Sequence, residues 1–385
     1  MLDVVVVGGG PAGLYSALLL AEEGFDVGLL EEHENLGAPT HCTGVVSDEL
    51  TDLFKVPESI VLNRPTTCLV HSPAGRTRSF HSNEEGIAVI DRGEFDRELG
   101  RAALRAGVEI RTGFRVTRVR PEAARVRIEG GGEVTSARAC ILACGVGYGL
   151  PRQVGLGLPS RFLHSAQVEV DARDVPPSVE LYLGRDIAPE GYGWAVPVLR
   201  DDRPRMKVGV VARGDAEQGL RRLLRRPTLA DALRSAPEPP QRRLLPIMPA
   251  RQTYGHRVLT VGDAAGLTKP TTGGGIFYSL LSGLLAAETL TGALRRDRLE
   301  ASDLKVYEGR WRTRLGHDLR VSGCVRRLFA RLTDPELERL LDALGSEDVQ
   351  SAIRRTARFN WHGEPIRTLL GQPGVKSTLF RALLR

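Results

Sequence analysis

The chain has 385 residues, 42% of them hydrophobic and 26% charged, with a formal charge of +6 and a pI near 9.2, as expected for an ordinary globular protein. Its five cysteines are odd in number and lack metal-type spacing, which argues against a disulfide framework or a metal site and predicts a reducing, cytoplasmic compartment. The basic charge, almost all from arginine, fits an anionic ligand, an anionic membrane surface or a GC-rich genome, and composition does not separate these causes.

The first elements predict a ligand-binding strand-helix-strand unit. Residues 4–7 form a β-branched run, residues 8–13 a glycine-rich turn and residues 14–23 a helical apolar pattern, and strand character resumes over 25–31. This order predicts a parallel, right-handed crossover with the turn at the carboxyl end of a strand, where such sheets bind ligands. The N-terminus lacks a basic n-region, so we predict no signal peptide.

The turn itself has the spacing of a dinucleotide-binding fingerprint. Gly8 allows the tight turn, Gly10 lets the backbone approach a pyrophosphate and Gly13 lets helix pack closely on strand, while Ala12 lies within the same turn. These four residues are therefore predicted to bind the cofactor. The alternative is a glycine-rich turn without a ligand.

A carboxylate follows at the distance expected for binding ribose hydroxyls. Glu31 stands eighteen residues beyond Gly13, at the end of the second predicted strand. We assign the ribose contact to Glu31, with Glu32 as the alternative.

The middle of the chain predicts a helix and two groups of strands. Residues 37–92 are irregular with short strands at Thr67–His71 and Ile87–Ile90, residues 92–106 form a helix, and a hairpin surrounds residues 130–132. A buried strand at 139–143 returns to the first sheet. Segments 163–170, 179–183, 193–197 and 206–212 have the alternation of an antiparallel sheet.

A second glycine-rich segment identifies the cofactor as FAD. A strand at 257–261 leads into Gly262-Asp263, which is followed by a Pro-, Thr- and Gly-rich loop and a long apolar helix. Asp263 can bind a polyol, and bare amides at the helix N-terminus can stabilise a reduced flavin ring, whereas NAD has neither group. The alternative is an Asp cap on a flexible loop.

The remaining segments complete an interleaved α/β architecture. We predict a Rossmann-like FAD-binding domain of residues 1–160 and 250–298, with inserted strands near 60–90. An antiparallel-sheet substrate domain at 161–249 and a C-terminal helical region at 299–385 follow, with Asp334-Pro335 at a helix N-terminus. The apolar stretch 276–290 is interrupted by polar residues and is predicted to be too short to span a bilayer.

With these motifs the sequence resembles flavoproteins of the para-hydroxybenzoate hydroxylase fold, and within them the geranylgeranyl reductases. The similarity extends over nearly the whole chain. The segments that carry it are Gly8–Gly13, His41-Cys42-Thr43-Gly44, Asp91-Arg92-x-x-Phe95-Asp96-x-x-Leu99, Gly191–Pro197 and Gly262-Asp263 through Gly275-Ile276.

The resemblance implies further site residues. It brings Cys42, with Thr43 and Gly44, to the flavin, and Cys42 is our candidate catalytic residue, with a buried structural thiol as the alternative. Arg92, the backbone of Val116, Gly275 and Ile276 are implied cofactor contacts. Tyr192 and Trp194 are implied to line the substrate pocket, although Val196 stands where the family has Phe, and core aromatics are the alternative.

The implied reaction is reduction of carbon-carbon double bonds in a prenyl chain of a lipid or isoprenoid precursor. No second Gly-x-Gly-x-x-Gly is present, so the external donor is expected to be a ferredoxin or a reduced deazaflavin, with NAD(P)H also open. Peripheral contact with the inner face of the membrane is expected, and nucleic acid is not expected as a partner.

Two rival functions use the same fold. A flavin-dependent monooxygenase or halogenase has a related aromatic motif, but Tyr192 stands where a Trp belongs and no lysine follows the first glycine motif before Lys55. A non-catalytic, flavin-containing lipid carrier is the other alternative. Nothing in the sequence favours it.

Overall fold

A computed structural model describes residues 1–81, 86–234 and 239–383. The chain divides into two compact units. The first comprises Met1–Thr40, Arg92–Arg161 and Pro246–His317, and the second comprises His41–Asp91, Phe162–Leu245 and Asp318–Arg385.

Strands dominate the first two thirds of the chain and helices the last third. The strands are β1 (Leu2–Val7), β2 (Val27–Leu30), β3 (Val45–Ser47), β4 (Val61–Asn63), β5 (Thr67–His71), β6 (Thr77–His81), β7 (Ile87–Ile90), β8 (Glu109–Arg111), β9 (Val116–Pro121), β10 (Val126–Gly130), β11 (Glu133–Leu142), β12 (Phe162–Asp171), β13 (Ser178–Tyr182), β14 (Tyr192–Arg200), β15 (Arg203–Ala212), β16 (Gln241–Pro246), β17 (Tyr254–Gly255) and β18 (Val258–Thr260). The helices are α1 (Pro11–Glu22), α2 (Arg92–Arg105), α3 (Gly149–Gln153), α4 (Ala216–Leu224), α5 (Pro227–Ala232), α6 (Ile276–Arg295), α7 (Ala301–Phe329), α8 (Asp334–Leu344), α9 (Glu347–Thr356), α10 (Gly363–Leu370) and α11 (Pro373–Leu383).

The first unit is built on a sheet with the order β17-β18-β11-β1-β2-β8, to which β10 and β9 are added beside β11. The central strand β1 pairs in parallel with both β2 and β11. Its four valines are fully or almost fully buried, as expected for a parallel strand covered on both faces. The predicted strand-helix-strand unit and the return of the strand at 139–143 are confirmed.

Helices α1 and α6 pack together in the first unit because their contact consists of small residues. A methyl group on Gly283 of α6 would lie 2.9 Å from the carbonyl oxygen of Ala12 and 3.0 Å from the hydroxyl of Ser16, both in α1. Only glycine permits so close an approach of the two backbones. The crossing fixes the N-terminal halves of both helices against each other.

Helix α6 is also a test of the membrane prediction. Its 20 residues make it long and apolar enough to cross a membrane by length and composition, so the prediction that the segment is too short was wrong. However, 72% of its most apolar window is buried in protein. This is the burial expected of a core helix.

The second unit contains a sheet with the order β16-β12-β15-β14-β13-β5-β6. The β12, β15, β14 and β13 pairings are antiparallel as predicted, but β13 pairs with β5 in parallel. The sheet is therefore mixed. A smaller sheet has the order β3-β7-β4.

One face of the seven-stranded sheet packs on α4 and α5. Alternate residues of β12 and β15 point into this core, together with Leu220 and Leu223 of α4. Because side chains alternate along a strand, the residues between them point to the other face, which we call the open face. The open face includes Ser165, Gln167, Tyr192, Trp194, Lys207 and Gly209.

The units differ from the predicted domains in two places. Residues 41–91 belong to the second unit, because β5 pairs with β13 and β6 with β5, whereas inserted strands were predicted within the FAD-binding domain. The C-terminal helices are divided, because the first unit continues to His317 within α7. The helix start at Asp334-Pro335 is confirmed, with Thr333 and Glu336 forming a capping box.

Candidate functional site

The first glycine-rich turn joins β1 to α1 and leaves space at one position. Gly8 has a φ of +111°, and a methyl group there would overlap the carbonyl oxygen of Ala143. A methyl group at Gly13 would overlap the carbonyl oxygen of Gly8, whereas one at Gly10 would meet no atom within 4 Å. Gly10 precedes Pro11 at the start of α1 and offers no side chain to cap the helix. The open space and the positive end of α1 suit a pyrophosphate.

Glu31 lies beside this turn. Its Oε2 accepts a hydrogen bond from the backbone N–H of Gly9 at 2.6 Å, and its Oε1 accepts one from the N–H of His33 at 2.9 Å. Oε1 also lies 2.5 Å from Nδ1 of His33, so it has two partners, whereas Oε2 has one and keeps a lone pair that can accept a ribose hydroxyl. The neighbouring Glu32 is half exposed and faces Arg115 at 3.5 Å. The structure thus brings Glu31 to the turn rather than Glu32.

The second glycine-rich segment converges on the first. Residues Gly262–Ala265 form a 3-10 turn, and a methyl group on Gly262 would lie 3.0 Å from Cβ of Ala12 and 3.1 Å from Oγ of Ser279 in α6. The backbone N–H of Gly262 donates to Oγ of Ser282 at 3.0 Å. Two segments far apart in sequence therefore meet within one unit.

Asp263 and the start of α6 complete this part of the site. Gly275 is the N-cap of α6 and Ile276 its first residue, and a methyl group on Gly275 would lie 3.3 Å from Oδ1 of Asp263. The Asp263 carboxylate therefore lies beside the N-terminus of a 20-residue helix. This pairing suits a ligand with hydroxyls on one part and negative charge on another.

Two predicted cofactor residues lie elsewhere in the first unit. Arg92 begins α2, and its guanidinium donates to both carboxylate oxygens of Asp96, at 2.9 and 2.8 Å. Val116 begins β9 and is buried. Their contacts with the cofactor stay predictions.

Sequence reasoning missed Lys269, which is 4% exposed in the loop before α6. Its backbone N–H donates to the carbonyl of Gly274 at 3.0 Å and closes the loop. A lysine among Thr, Pro and Gly residues predicts an exposed loop, so no local signal indicated its burial.

In the second unit the segment His41–Gly44 is held against the open face by three polar side chains. His41 Nε2 lies 3.1 Å from Oγ of Ser165, and the hydroxyl of Thr43 donates to Gln167 at 3.0 Å. The ammonium of Lys207 donates to the carbonyl of Thr43 at 2.9 Å. Cys42 therefore has a fixed backbone on both sides.

Lys207 is an unusual anchor because it is only 3% exposed. Burial lowers its pKa, while the nearby carboxylates of Glu169 and Asp91 act in the opposite direction. Neither Lys207 nor Gln167 was predicted, because their hydrogen bonds with Thr43 join segments that are 164 and 124 residues apart in the sequence. Sequence offered no signal beyond a charged residue in an apolar strand.

The predicted aromatic residues share the open face. The rings of Tyr192 and Trp194 have centroids 5.9 Å apart and are tilted by 55°. The indole of Trp194 covers Gly209 of the neighbouring strand, and its Nε1 is buried without a hydrogen-bond partner among the described residues. The sheet's core with α4 lies on the opposite face. That Tyr192 and Trp194 line a substrate pocket stays a prediction.

His41 is expected to be neutral at physiological pH. Burial, and then the positive charge of Arg243, lower its pKa to about 4. In the unfolded chain the group titrates near its ordinary pKa of about 6.5. Between these values the unfolded chain binds more protons, so stability is lost as pH falls.

We expect this loss to be measurable. Acidification from about pH 7 to about pH 5 should lower the free energy of unfolding by about 2 kcal/mol more in the wild type than in His41→Gln, which keeps a donor towards Ser165. Urea denaturation at the two pH values measures the difference. Identical pH dependence in both proteins would contradict a depressed pKa.

Comparison with known proteins identifies related sequences. Residues 2–147 match the family described as pyridine nucleotide-disulphide oxidoreductase. Over 372 residues the chain is 30% identical to digeranylgeranylglycerophospholipid reductase 2 of Methanopyrus kandleri, covering 91% of this chain and 92% of that protein.

Solved structures show the same fold. A geranylgeranyl bacteriochlorophyll reductase-like protein of Thermoplasma acidophilum matches with a TM-score of 0.86 at 22% identity, covering 99% of both chains. The halogenase PltM, solved with phloroglucinol and FAD, matches with a TM-score of 0.70 at 17% identity, covering 100% of this chain and 93% of that one. The predicted fold class is confirmed.

Proposed function

This chain belongs to the digeranylgeranylglycerophospholipid reductase family, and we propose on that basis that it saturates carbon-carbon double bonds in the prenyl chains of a lipid. It is an FAD-dependent oxidoreductase. The observation that carries the proposal is 30% identity over about nine tenths of both this chain and a curated reductase. The halogenases share the fold at much lower identity.

The first unit fits FAD. The open space at Gly10 and the start of α1 would receive the pyrophosphate, Glu31 the ribose hydroxyls, and Asp263 with the N-terminus of α6 the flavin half. When reduced, FAD supplies a hydride to one alkene carbon, and a proton adds to the other. The chain's contribution is to bind, to orient and to deliver the proton.

The open face of the second unit would hold the prenyl chain. Tyr192 and Trp194 offer apolar surface, and the segment His41–Gly44 lies against the same face. We assign Cys42 as the catalytic group that delivers or directs the proton, since the neighbouring Thr43 is held at its hydroxyl by Gln167 and at its carbonyl by Lys207. A rigid scaffold around a small reactive group is what a positioned proton transfer requires.

An anaerobic single-turnover experiment tests the function. Enzyme whose flavin has been chemically reduced is mixed with digeranylgeranylglycerophospholipid in the absence of oxygen. We expect the absorbance of oxidised flavin to return and mass spectrometry to detect a lipid heavier by two hydrogens per reduced bond. Reoxidation that needs oxygen, with substrate-dependent oxygen consumption, would instead support a monooxygenase or halogenase.

Substitutions of cysteine extend the same experiment. Cys42→Ala should slow reoxidation by the lipid at least about tenfold with FAD retained, as expected for loss of a positioned acid. Cys324→Ala is the matched control, because that thiol is exposed on α7. Equal rates of flavin reoxidation in the two variants would show that Cys42 takes no part in the proton transfer.

The reaction needs a redox partner. We propose a ferredoxin or a reduced deazaflavin, and the absence of a second Gly-x-Gly-x-x-Gly in the sequence supports this over NAD(P)H. Rapid anaerobic reduction of the bound flavin by NADH or NADPH alone would contradict it.

We also propose reversible contact with an anionic membrane surface, because the substrate is a lipid and the chain carries an excess of six positive charges. Co-sedimentation with anionic vesicles, weakened by salt, is the expected result. No difference between anionic and neutral vesicles would contradict it.

A further inference from the structure

The second unit contains a cavity that the proposed chemistry does not use. It has a volume of about 700 Å³ and lies where β12 and β16 meet the start of α4. This volume is within the range of pockets that bind small molecules or the polar parts of larger ones. Its charged lining comprises Asp215, Glu217, Arg221, Arg242 and Arg243.

These charges leave an excess of positive charge. Glu217 is shared by two arginines, with Arg221 at 2.6 Å and Arg242 at 3.3 Å. The carboxylate of Asp215 caps α4 by accepting from the N–H of Gln218 at 3.0 Å. Arg243 forms no ion pair with any carboxylate in the part of the chain that the structure describes. Three guanidinium groups therefore face two carboxylates, and one guanidinium is available.

The cavity borders the segment that carries Cys42. Ser165 lines it and lies 3.1 Å from Nε2 of His41, the residue before Cys42. Arg243 is close enough for its charge to act on His41. Ser165 also pairs with Val211, which pairs with Tyr192, so the cavity lies at one end of a row of residues across the sheet.

We propose that this cavity binds the phosphate group of the substrate's head group, with the guanidinium of Arg243 as its direct partner. The inference rests on the proposed function. Arginine presents paired donors that match phosphate oxygens, and a phosphate balances the excess charge. From this cavity the prenyl chain extends over the open face past Tyr192 and Trp194. Free phosphate and glycerol phosphate have the same chemistry and are expected to bind more weakly.

The test compares a charged with an uncharged lipid. In the anaerobic turnover assay, Arg243→Ala should raise KM for digeranylgeranylglycerophospholipid about tenfold and change KM for digeranylgeranylglycerol less than about twofold. Arg225→Ala, which removes an exposed arginine at the C-terminal end of α4 and outside the cavity, should change neither KM. Inhibition of the wild type by glycerol phosphate, competitive with the phospholipid and weakened in Arg243→Ala, would assign the effect to the head group.

Other outcomes overturn the proposal. A KM increase for both lipids would show that Arg243 acts on the prenyl site or the fold, and no change for either would show that the cavity does not bind phosphate. If neither lipid is turned over, the proposed function fails. Calorimetric titration of the wild type and Arg243→Ala with glycerol phosphate then still decides the cavity, because it needs no turnover.

Discussion

Replacing Gly10 with alanine is expected to abolish tight FAD binding while leaving the fold intact. Gly10 has an ordinary extended backbone, with φ −83° and ψ 178°, and a methyl group there would meet no protein atom within 4 Å. Alanine therefore fits the protein but fills the space in which a pyrophosphate would approach the backbone. We expect the affinity for FAD to fall roughly 100-fold, which corresponds to about 2.7 kcal/mol.

The measurement compares proteins stripped of FAD. Apo Gly10→Ala should have the circular dichroism spectrum and melting temperature of the apo wild type, and titration with FAD should reveal the lost affinity. Stripping is necessary because bound cofactor raises the melting temperature of the wild type by mass action.

Gly13→Ala is the informative contrast. Its methyl group would overlap the carbonyl oxygen of Gly8 and lie 3.0 Å from Cβ of Ala143, so the strand and the helix would have to separate. We expect this variant to be destabilised even without FAD. If Gly10→Ala binds FAD with wild-type affinity, the proposed cofactor site is refuted. If apo Gly10→Ala is less stable than the apo wild type, the position is structural.

Sequence predicted the first unit well because its signals are local. The three motif glycines Gly8, Gly10 and Gly13, the β-branched strand before them and the carboxylate after the next strand each reflect a requirement of the neighbouring backbone. The convergence of Gly262 on Ala12 was also expected, since both segments follow strands of one parallel sheet.

The second unit was harder to predict from sequence, because its arrangement depends on pairings between strands that are far apart in the chain. Strand β5 was located correctly at Thr67–His71, but its parallel pairing with β13 has no local signal. The same is true of Lys207, whose contact with Thr43 arises only when β15 and the segment before β3 meet. The strands near 60–90 were predicted as an insertion in the FAD-binding domain, and the structure groups residues 41–91 with the second unit for this reason.

Helix α6 illustrates a different limit of prediction from sequence. Composition identifies a long apolar helix, but the choice between a core helix and a membrane span depends on what surrounds it. Gly283 and the small residues of α1 supply that answer only once the two helices are placed together.

Gly209→Ala is expected to cause a large loss of prenyl turnover although the residue lies outside the first unit. A methyl group at Gly209 would lie 2.5 Å from Cε2 and 2.8 Å from Cη2 of Trp194, so the indole would have to leave its place on the open face. Because the prenyl chain is proposed to contact this indole, kcat/KM should fall at least about tenfold. FAD content should not change, since the residues proposed to hold the pyrophosphate and ribose lie in the first unit.

Two further variants test whether Gly209→Ala acts through the indole of Trp194 or through a distortion of the sheet. Gly193 lies on the adjacent strand, and its methyl group would meet the flexible end of Leu223, at 2.7 Å, on the face covered by α4. Gly193→Ala should therefore keep kcat/KM within about threefold, because Leu223 can shift. In the double variant Gly209→Ala with Trp194→Phe, the smaller ring should relieve the overlap. Its kcat/KM should therefore fall by less than the product of the two single-variant losses. Strict additivity would mean that Gly209 does not act through Trp194, and the indole would then lose its assigned place in the substrate site.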